Sequence, residues 1–309
     1  MIQGVCPVLE VPFTAAGDVD YDGFDRVTEH VMGTGVGAVM FPGFASEFPK
    51  LDDAERTRLT GRLLRAGNAH GVPVVVSVPD HATVVAIRRA REAIDAGAAA
   101  INILPPHVFA PAPAQVRRHV EAVLDAVAGT PVVLQYAPAQ TGTALDAETI
   151  RAFAERHGAG LQVKVEVVPP GPVVSALAAG PRPVGCLIGY AGVHLLDGLR
   201  RGAVGVQPGC SFVEVYVEIW RLWHAGRIAD AEALHRRLLP YIAYWMQHVE
   251  LIVQAEKTIS RRRGLIADDH CRMPGRPLDG PESAEVDRFL EEFADLLAGQ
   301  GSGGSVVTP

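Results

Sequence analysis

The chain has 309 residues, of which 48% are hydrophobic and 20% charged. That length fits two or three small domains or one α/β barrel of about 250 residues with an extension, and the composition excludes a disordered chain. A net charge of −7, with no basic run longer than Arg261, Arg262 and Arg263, argues against nucleic acid or a membrane surface as partner.

The elements are read in chain order. A β-branched run at 4–9 is followed by a helical pattern at 20–33, a run at 36–41, a helix at 52–70, a run at 73–78 and a helix at 83–96. The alternation continues with a run at 99–104, a helix at 113–127, a run at 131–136, a helix at 146–157, and runs at 160–165 and 183–188. A helix at 192–201 and a run at 203–207 complete it. Eight apolar runs at a repeat of roughly 30 residues, with crossover helices between, predict an α/β fold: a (β/α)8 TIM barrel. The glycines Gly33, Gly35 and Gly37 follow a helix and precede a strand, the reverse of a dinucleotide loop.

Further helices are expected at 212–225, 228–239, 241–264 and 283–298, more than a barrel needs. The expected division is a catalytic barrel at 1–225, a C-terminal helical extension at 226–298 and a flexible tail at 299–309. The face carrying Tyr241, Tyr244, Trp245, His248 and Leu251 reads as core or subunit interface. No basic leader precedes the apolar start, and no run reaches the roughly 18 apolar residues of a membrane span, so a cytoplasmic location is expected. Cys6, Cys186, Cys210 and Cys271 show no CxxC spacing and read as reduced thiols.

Of the 28 basic residues only Lys50, Lys164 and Lys257 are lysine. A chain that uses Arg elsewhere keeps Lys where an amine that can lose its proton is needed. Barrel chemistry sits at the C-terminal strand ends, where Lys164 lies inside the apolar stretch LQVKVEVV. A buried ammonium is costly, so this side chain either faces a polar cavity or sheds its proton, and a neutral amine there can attack a ketone to form a Schiff base. The competing reading is a structural pair with Glu166, two residues on and on the same strand face. Tyr136, ending the preceding run, is a candidate proton relay; the alternative is an aromatic lid on the core. Glu166 is a candidate base. Ser46, with Ala45 and Glu47 around it, is a candidate carboxylate binder, and Gly189 and Gly209 allow substrate to approach backbone. The histidines show no HxH or HxxxH pair, so no metal is expected.

These motifs resemble the dihydrodipicolinate synthase / N-acetylneuraminate lyase superfamily of Schiff-base aldolases and dehydratases over about 4–277. Residues 8–13 match its PxxTPF-like segment, 43–47 its GTTGE motif, Tyr136-Ala137-Pro138 its YNxP motif, Lys164 its lysine and 202–205 its GAxG turn. Phe44 and Ala45 stand where dihydrodipicolinate-forming members carry two threonines. Gln140 replaces an arginine, and His107 with Val108 replaces a tyrosine pair. The segments at 46–48 and 137–145, with Lys164 and Glu166, are more similar to the sugar-acid branch that contains 2-keto-3-deoxy-L-arabonate dehydratases. The resemblance implies a lyase that dehydrates a 2-keto-3-deoxy sugar acid through an imine on Lys164, with a class I pyruvate-dependent aldolase as the alternative. It also implies no cofactor, a small 2-oxo acid as ligand and a homotetramer. A catalytically silent binding barrel is the reading from another class.

Overall fold

The computed structural model describes residues 1–158 and 160–298. The eight expected strands are present: β1 (Gly4–Val5), β2 (Val39–Phe41), β3 (Val74–Val78), β4 (Ala100–Ile103), β5 (Val132–Tyr136), β6 (Leu161–Val165), β7 (Gly185–Ile188) and β8 (Gly205–Val206). All pair in parallel in the order β1-β8-β7-β6-β5-β4-β3-β2. The two edges meet through a parallel bridge between Val8 and Met40, flanked by Leu9 N–H to Met40 O (3.0 Å) and Met40 N–H to Pro7 O (2.8 Å). The first run is shorter as a strand than its apolar pattern, because Pro7 and Pro12 have no N–H to donate to a ladder.

The helices of the barrel are α1 (Tyr21–Met32), α2 (Asp53–His70), α3 (Thr83–Asp95), α4 (Pro113–Ala126), α5 (Pro138–Thr141), α6 (Ala147–His157), α7 (Gly171–Ala178) and α8 (Leu195–Arg200). Local caps start several of them. Asp20, Asp52 and Asp146 each accept a backbone N–H from the first turn, and Asp52 with Glu55 forms a reciprocal capping box. Single turns of 3₁₀ helix at Phe44–Ser46, Phe48–Lys50 and Tyr190–Gly192 shape the loops after β2 and β7. Strand side chains alternate between two cores. One, inside the barrel, holds Cys6, Val8, Met40, Val75, Ala100, Val133 and Leu187; the other lies between strands and helices.

Helices α9 (Val213–His224), α10 (Ile228–Trp245), α11 (Val249–Arg262), α12 (Gly280–Glu292) and α13 (Ala294–Leu297) follow. The break expected at Pro240 is absent. That proline is exposed, while the buried stripe of Leu234, Leu238, Tyr241, Ile242 and Trp245 runs past it, so tertiary packing outweighs the lost backbone bond. The chain turns instead at Met246 to His248, where the His248 ring accepts the Glu250 N–H (3.2 Å) and starts α11. The aromatic face is core: Trp245 is fully buried, with ring centroids 5.3 Å from Phe289 and 6.0 Å from Phe212. Of that set Tyr244 and His248 are exposed. The segment at 299–309 lies outside the described residues. None of the described helices is long and apolar enough to cross a membrane.

Candidate active site

Alternation along β6 turns Gln162 and Lys164 into the barrel, with Glu166 just past the strand end. Lys164 is buried, and its Nζ lies 3.2 Å from Glu166 Oε1. The two expectations for this lysine therefore hold together: it is ion-paired and it faces a cavity. On β5 the residue in register with Lys164 is Gln135. Its Nε2 donates to Glu166 Oε2 (2.7 Å), and its Oε1 accepts from Asn102 Nδ2 (3.1 Å), which also donates to Ser77 Oγ (2.8 Å). A polar ladder thus runs across β3, β4, β5 and β6 and fixes the Glu166 carboxylate against the amine. Gly189 is what makes this possible, since a Cβ there would stand 2.3 Å from Glu166 Cγ.

Lys164 and Glu166 open into a cavity of about 650 Å³ above the barrel interior. Phe44 and Ala45 from the loop after β2, Tyr190 and Ala191 after β7, and Pro208 and Gly209 after β8 form part of its wall. Tyr190 and Ala191 hold left-handed backbone (φ 55° and 48°), and the Tyr216 hydroxyl donates to Ala191 O (2.7 Å) to keep the loop in place. The far wall comes from the C-terminal helices: Met246 ahead of α11, then Val249, Ile252, Val253 and Glu256 on it. Those helices are accordingly part of the site.

Of the residues singled out in the sequence, Lys164, Glu166, Ala45 and Gly209 line this cavity, and Gly189 lies behind Glu166. The other three lie away from it. Ser46 is fully buried; its hydroxyl donates to Leu9 O and accepts the Gly43 N–H (3.0 Å), so its hydrogen bonds hold the loop. Glu47 points away, with one oxygen on Lys257 Nζ and the other on Lys50 Nζ (2.9 Å). Tyr136 is in register with Val165, and both pack into the layer between strands and helices. Burial there, and then the Asp146 charge, raise the phenol above its ordinary range. Counting back three residues from Pro138, the first position of the YNxP pattern falls on Gln135, an amide that holds Glu166 but carries no transferable proton. All three lysines sit in carboxylate pairs, Lys164 with Glu166 and the other two around Glu47.

The sequence reading missed Glu10 and Glu256, which line the same cavity. Glu10 is 1% exposed, and neither carboxyl oxygen has a hydrogen-bond partner; Glu256 is 4% exposed with Oε2 unpartnered. Burial pushes Glu10 up to about 7, against the opposing effects of Ser260, Lys257 and Arg263. Burial and then the Glu10 charge push Glu256 up to about 8. The available signal was one acid in the otherwise apolar VLEVPF; Glu256, beside Lys257 in an amphipathic helix, gave none.

The chain is 29% identical over 292 residues to an L-2-keto-3-deoxyarabonate dehydratase of Azospirillum brasilense, covering 92% of each chain. It is 31% identical over 310 residues to a 4-hydroxy-tetrahydrodipicolinate synthase of Salinibacter ruber, covering 96% of this chain and 97% of that one. The crystal structure of dihydrodipicolinate synthase from Rhodopseudomonas palustris superposes with a TM-score of 0.84 at 27% identity, over 94% of this chain and 97% of that one. The Dihydrodipicolinate synthetase family model matches residues 1–293. With an eight-stranded parallel barrel, a buried lysine at the end of its sixth strand and a match over nearly the whole length, the chain belongs to the dihydrodipicolinate synthetase family and is a lyase.

Proposed function

We propose that this lyase removes water from a 2-keto-3-deoxy sugar acid through an imine on Lys164. The observation that carries the reading is the buried Lys164 amine, 3.2 Å from the Glu166 carboxylate, in the lining of the cavity. Glu166 takes a proton from the ammonium, the free amine attacks C2 of the 2-oxo acid, and loss of water leaves a protonated imine. That imine acidifies C3, and Glu166, held by Gln135, is placed to take the C3 proton. Backbone at Ala45 and Gly209 borders the space for the C1 carboxylate, beside the apolar ring of Phe44. The dehydratase relative supports loss of the C4 hydroxyl as the next step.

A second reading, carbon–carbon bond chemistry at the same imine, is favoured by the likeness to the synthase from Salinibacter ruber. Products separate the two, since cleavage releases pyruvate and dehydration does not. Borohydride reduction with pyruvate or a 2-keto-3-deoxy acid is expected to trap a covalent adduct on the wild type and none on Lys164→Ala. An adduct of equal yield on that variant refutes the imine. Exposed Val108 and Phe109 after β4 support a homo-oligomer, for which we propose a tetramer. Light scattering that finds only a monomer removes that assembly and leaves the chemistry standing.

A further inference from the structure

Loss of the C4 hydroxyl needs a proton donor, because hydroxide is a poor leaving group. A retro-aldol path needs the opposite at the same oxygen, a base for the C4 hydroxyl proton. The wall of the cavity above Lys164 holds two carboxyl groups from opposite ends of the chain, Glu10 just past β1 and Glu256 on α11. Neither Glu10 oxygen nor Glu256 Oε2 has a hydrogen-bond partner, and both side chains are more than nine-tenths buried. Gly209 allows the approach: a Cβ there would stand 1.8 Å from Glu256 Oε2, so only glycine lets that carboxyl lie against the end of β8.

Building on the dehydratase reading above, we propose that Glu10 and Glu256 share a proton and deliver it to the departing C4 hydroxyl of the imine-bound substrate. In the first step Glu166 takes the C3 proton, the C3–H electrons form the C2–C3 double bond, and the imine π pair moves onto nitrogen. In the second step that nitrogen pair re-forms the imine, the C2–C3 pair becomes the C3–C4 double bond, and the C4–O pair leaves with oxygen. The oxygen takes the proton of the acid pair and departs as water, and the pair becomes singly more negative. Two carboxyls buried in one wall cannot both ionise cheaply, so one proton is retained at neutral pH. Burial, the largest influence on each, holds both above the ordinary carboxyl range.

Several groups face the pair. Glu10 has Ser260, Lys257 and Arg263 opposing its upward shift and Glu47 reinforcing it; Glu256 has the Ser211 hydroxyl and the backbone N–H groups of Cys210 and Ser211. The Cys210 thiol, itself held protonated by burial, lies near both, and Lys164 and Glu166 stand elsewhere on the cavity lining. As pH rises through about 7 to 8 the pair gives up its last proton, so expulsion of water slows.

The test compares 2-keto-3-deoxyarabonate with its 4-deoxy-4-fluoro analogue, because fluoride leaves as an anion and needs no acid. Glu10→Gln and Glu256→Gln are expected to slow water loss by about a hundredfold or more, the usual size of a general-acid contribution, while fluoride release stays within a few-fold of wild type. Borohydride trapping of pyruvate on the variants is expected to persist. Equal losses for both leaving groups, or no loss for either, overturns the acid role and leaves the imine intact. A wild type that traps no 2-oxo acid overturns the dehydratase reading and the acid role with it. Should the variants not fold, the wild-type pH profiles decide: water loss falling above pH 8 with flat fluoride release supports the role, and parallel profiles overturn it.

Discussion

Lys257 is the sharpest test of how the site is held. Its Nζ donates to Glu47 Oε1 and to His270 O (3.0 Å) and lies 4.3 Å from the Phe13 ring centroid, and the side chain is 1% exposed. Lys257→Met keeps the length and most of the packing but strips Glu47, itself 3% exposed, of one of its two cations. Removing one partner of a buried ion pair costs about 3–5 kcal/mol. Lys50 remains 2.9 Å from the other Glu47 oxygen, which argues for the low end of that range, and the lost contact with Phe13 adds about 0.5–1 kcal/mol. The expected loss is therefore about 3–4 kcal/mol, read from urea unfolding of wild type, Lys257→Met, Glu47→Gln and the double variant. The double variant leaves neither Glu47 nor Lys257 as a lone buried charge, Lys50 being partly exposed with Glu250 at 3.9 Å, and is expected to recover about 2 kcal/mol relative to the summed single losses. A Lys257→Met protein within about 0.5 kcal/mol of wild type, or additive single losses, refutes the claim that this pair anchors the loop after β2.

The remaining predictions concern the chemistry and pH. Tyr136→Phe is expected to leave kcat/KM within about threefold of wild type, the size of an ordinary peripheral substitution. Gln135→Leu, which frees Glu166 Oε2 and removes one of the two acceptors of the Asn102 amide, is expected to lower it by about ten- to a hundredfold, equivalent to about 1–3 kcal/mol. A hundredfold loss in Tyr136→Phe would return the relay to the phenol. The contribution of Glu10 and Glu256 to stability is expected to fall with rising pH. Glu10 and Glu256 have folded values raised above the ordinary unfolded value of about 4.3, so their contribution is complete below that pH and is lost up to about 8. Thermal unfolding across that window is expected to show the decline in wild type and a smaller one in Glu256→Gln; identical slopes would show that other groups set it.

The strands were legible because the barrel is buried on both faces, so each reads as an apolar run closed by Gly or Pro. Helix α7 was not, since it begins Gly-Pro with no side-chain cap and its short sequence GPVVSALA lacks a clear polar stripe. Lys164 stood out as a cation inside such a run. Which neighbour faces it did not, because Gln135 and Tyr136 are consecutive and a shift of one residue exchanges the inside of the barrel for the helix layer. Ser46 and Glu47 sit in a motif-like loop, yet their polar atoms are committed to Leu9, Gly43, Lys50 and Lys257, partners up to 210 positions away. Spacing along a chain carries no information about partners that distant.

The pairing of β1 with β8 also orders events as the chain folds. The first strand pairs with β8, and the Glu10 N–H reaches Cys210 Sγ (3.4 Å) across 200 positions. An emerging polypeptide can therefore set its first residues against β2 early but cannot pair β1 with β8 until two-thirds of the chain has been made, and the Glu10 carboxyl gains its neighbours on α11 only later. Closing a loop of that length is entropically slow, so the reaction chamber comes into existence late. A ribosome-bound chain halted before α11 would carry the lysine and its strand yet have an open cleft where the finished enzyme has a walled one.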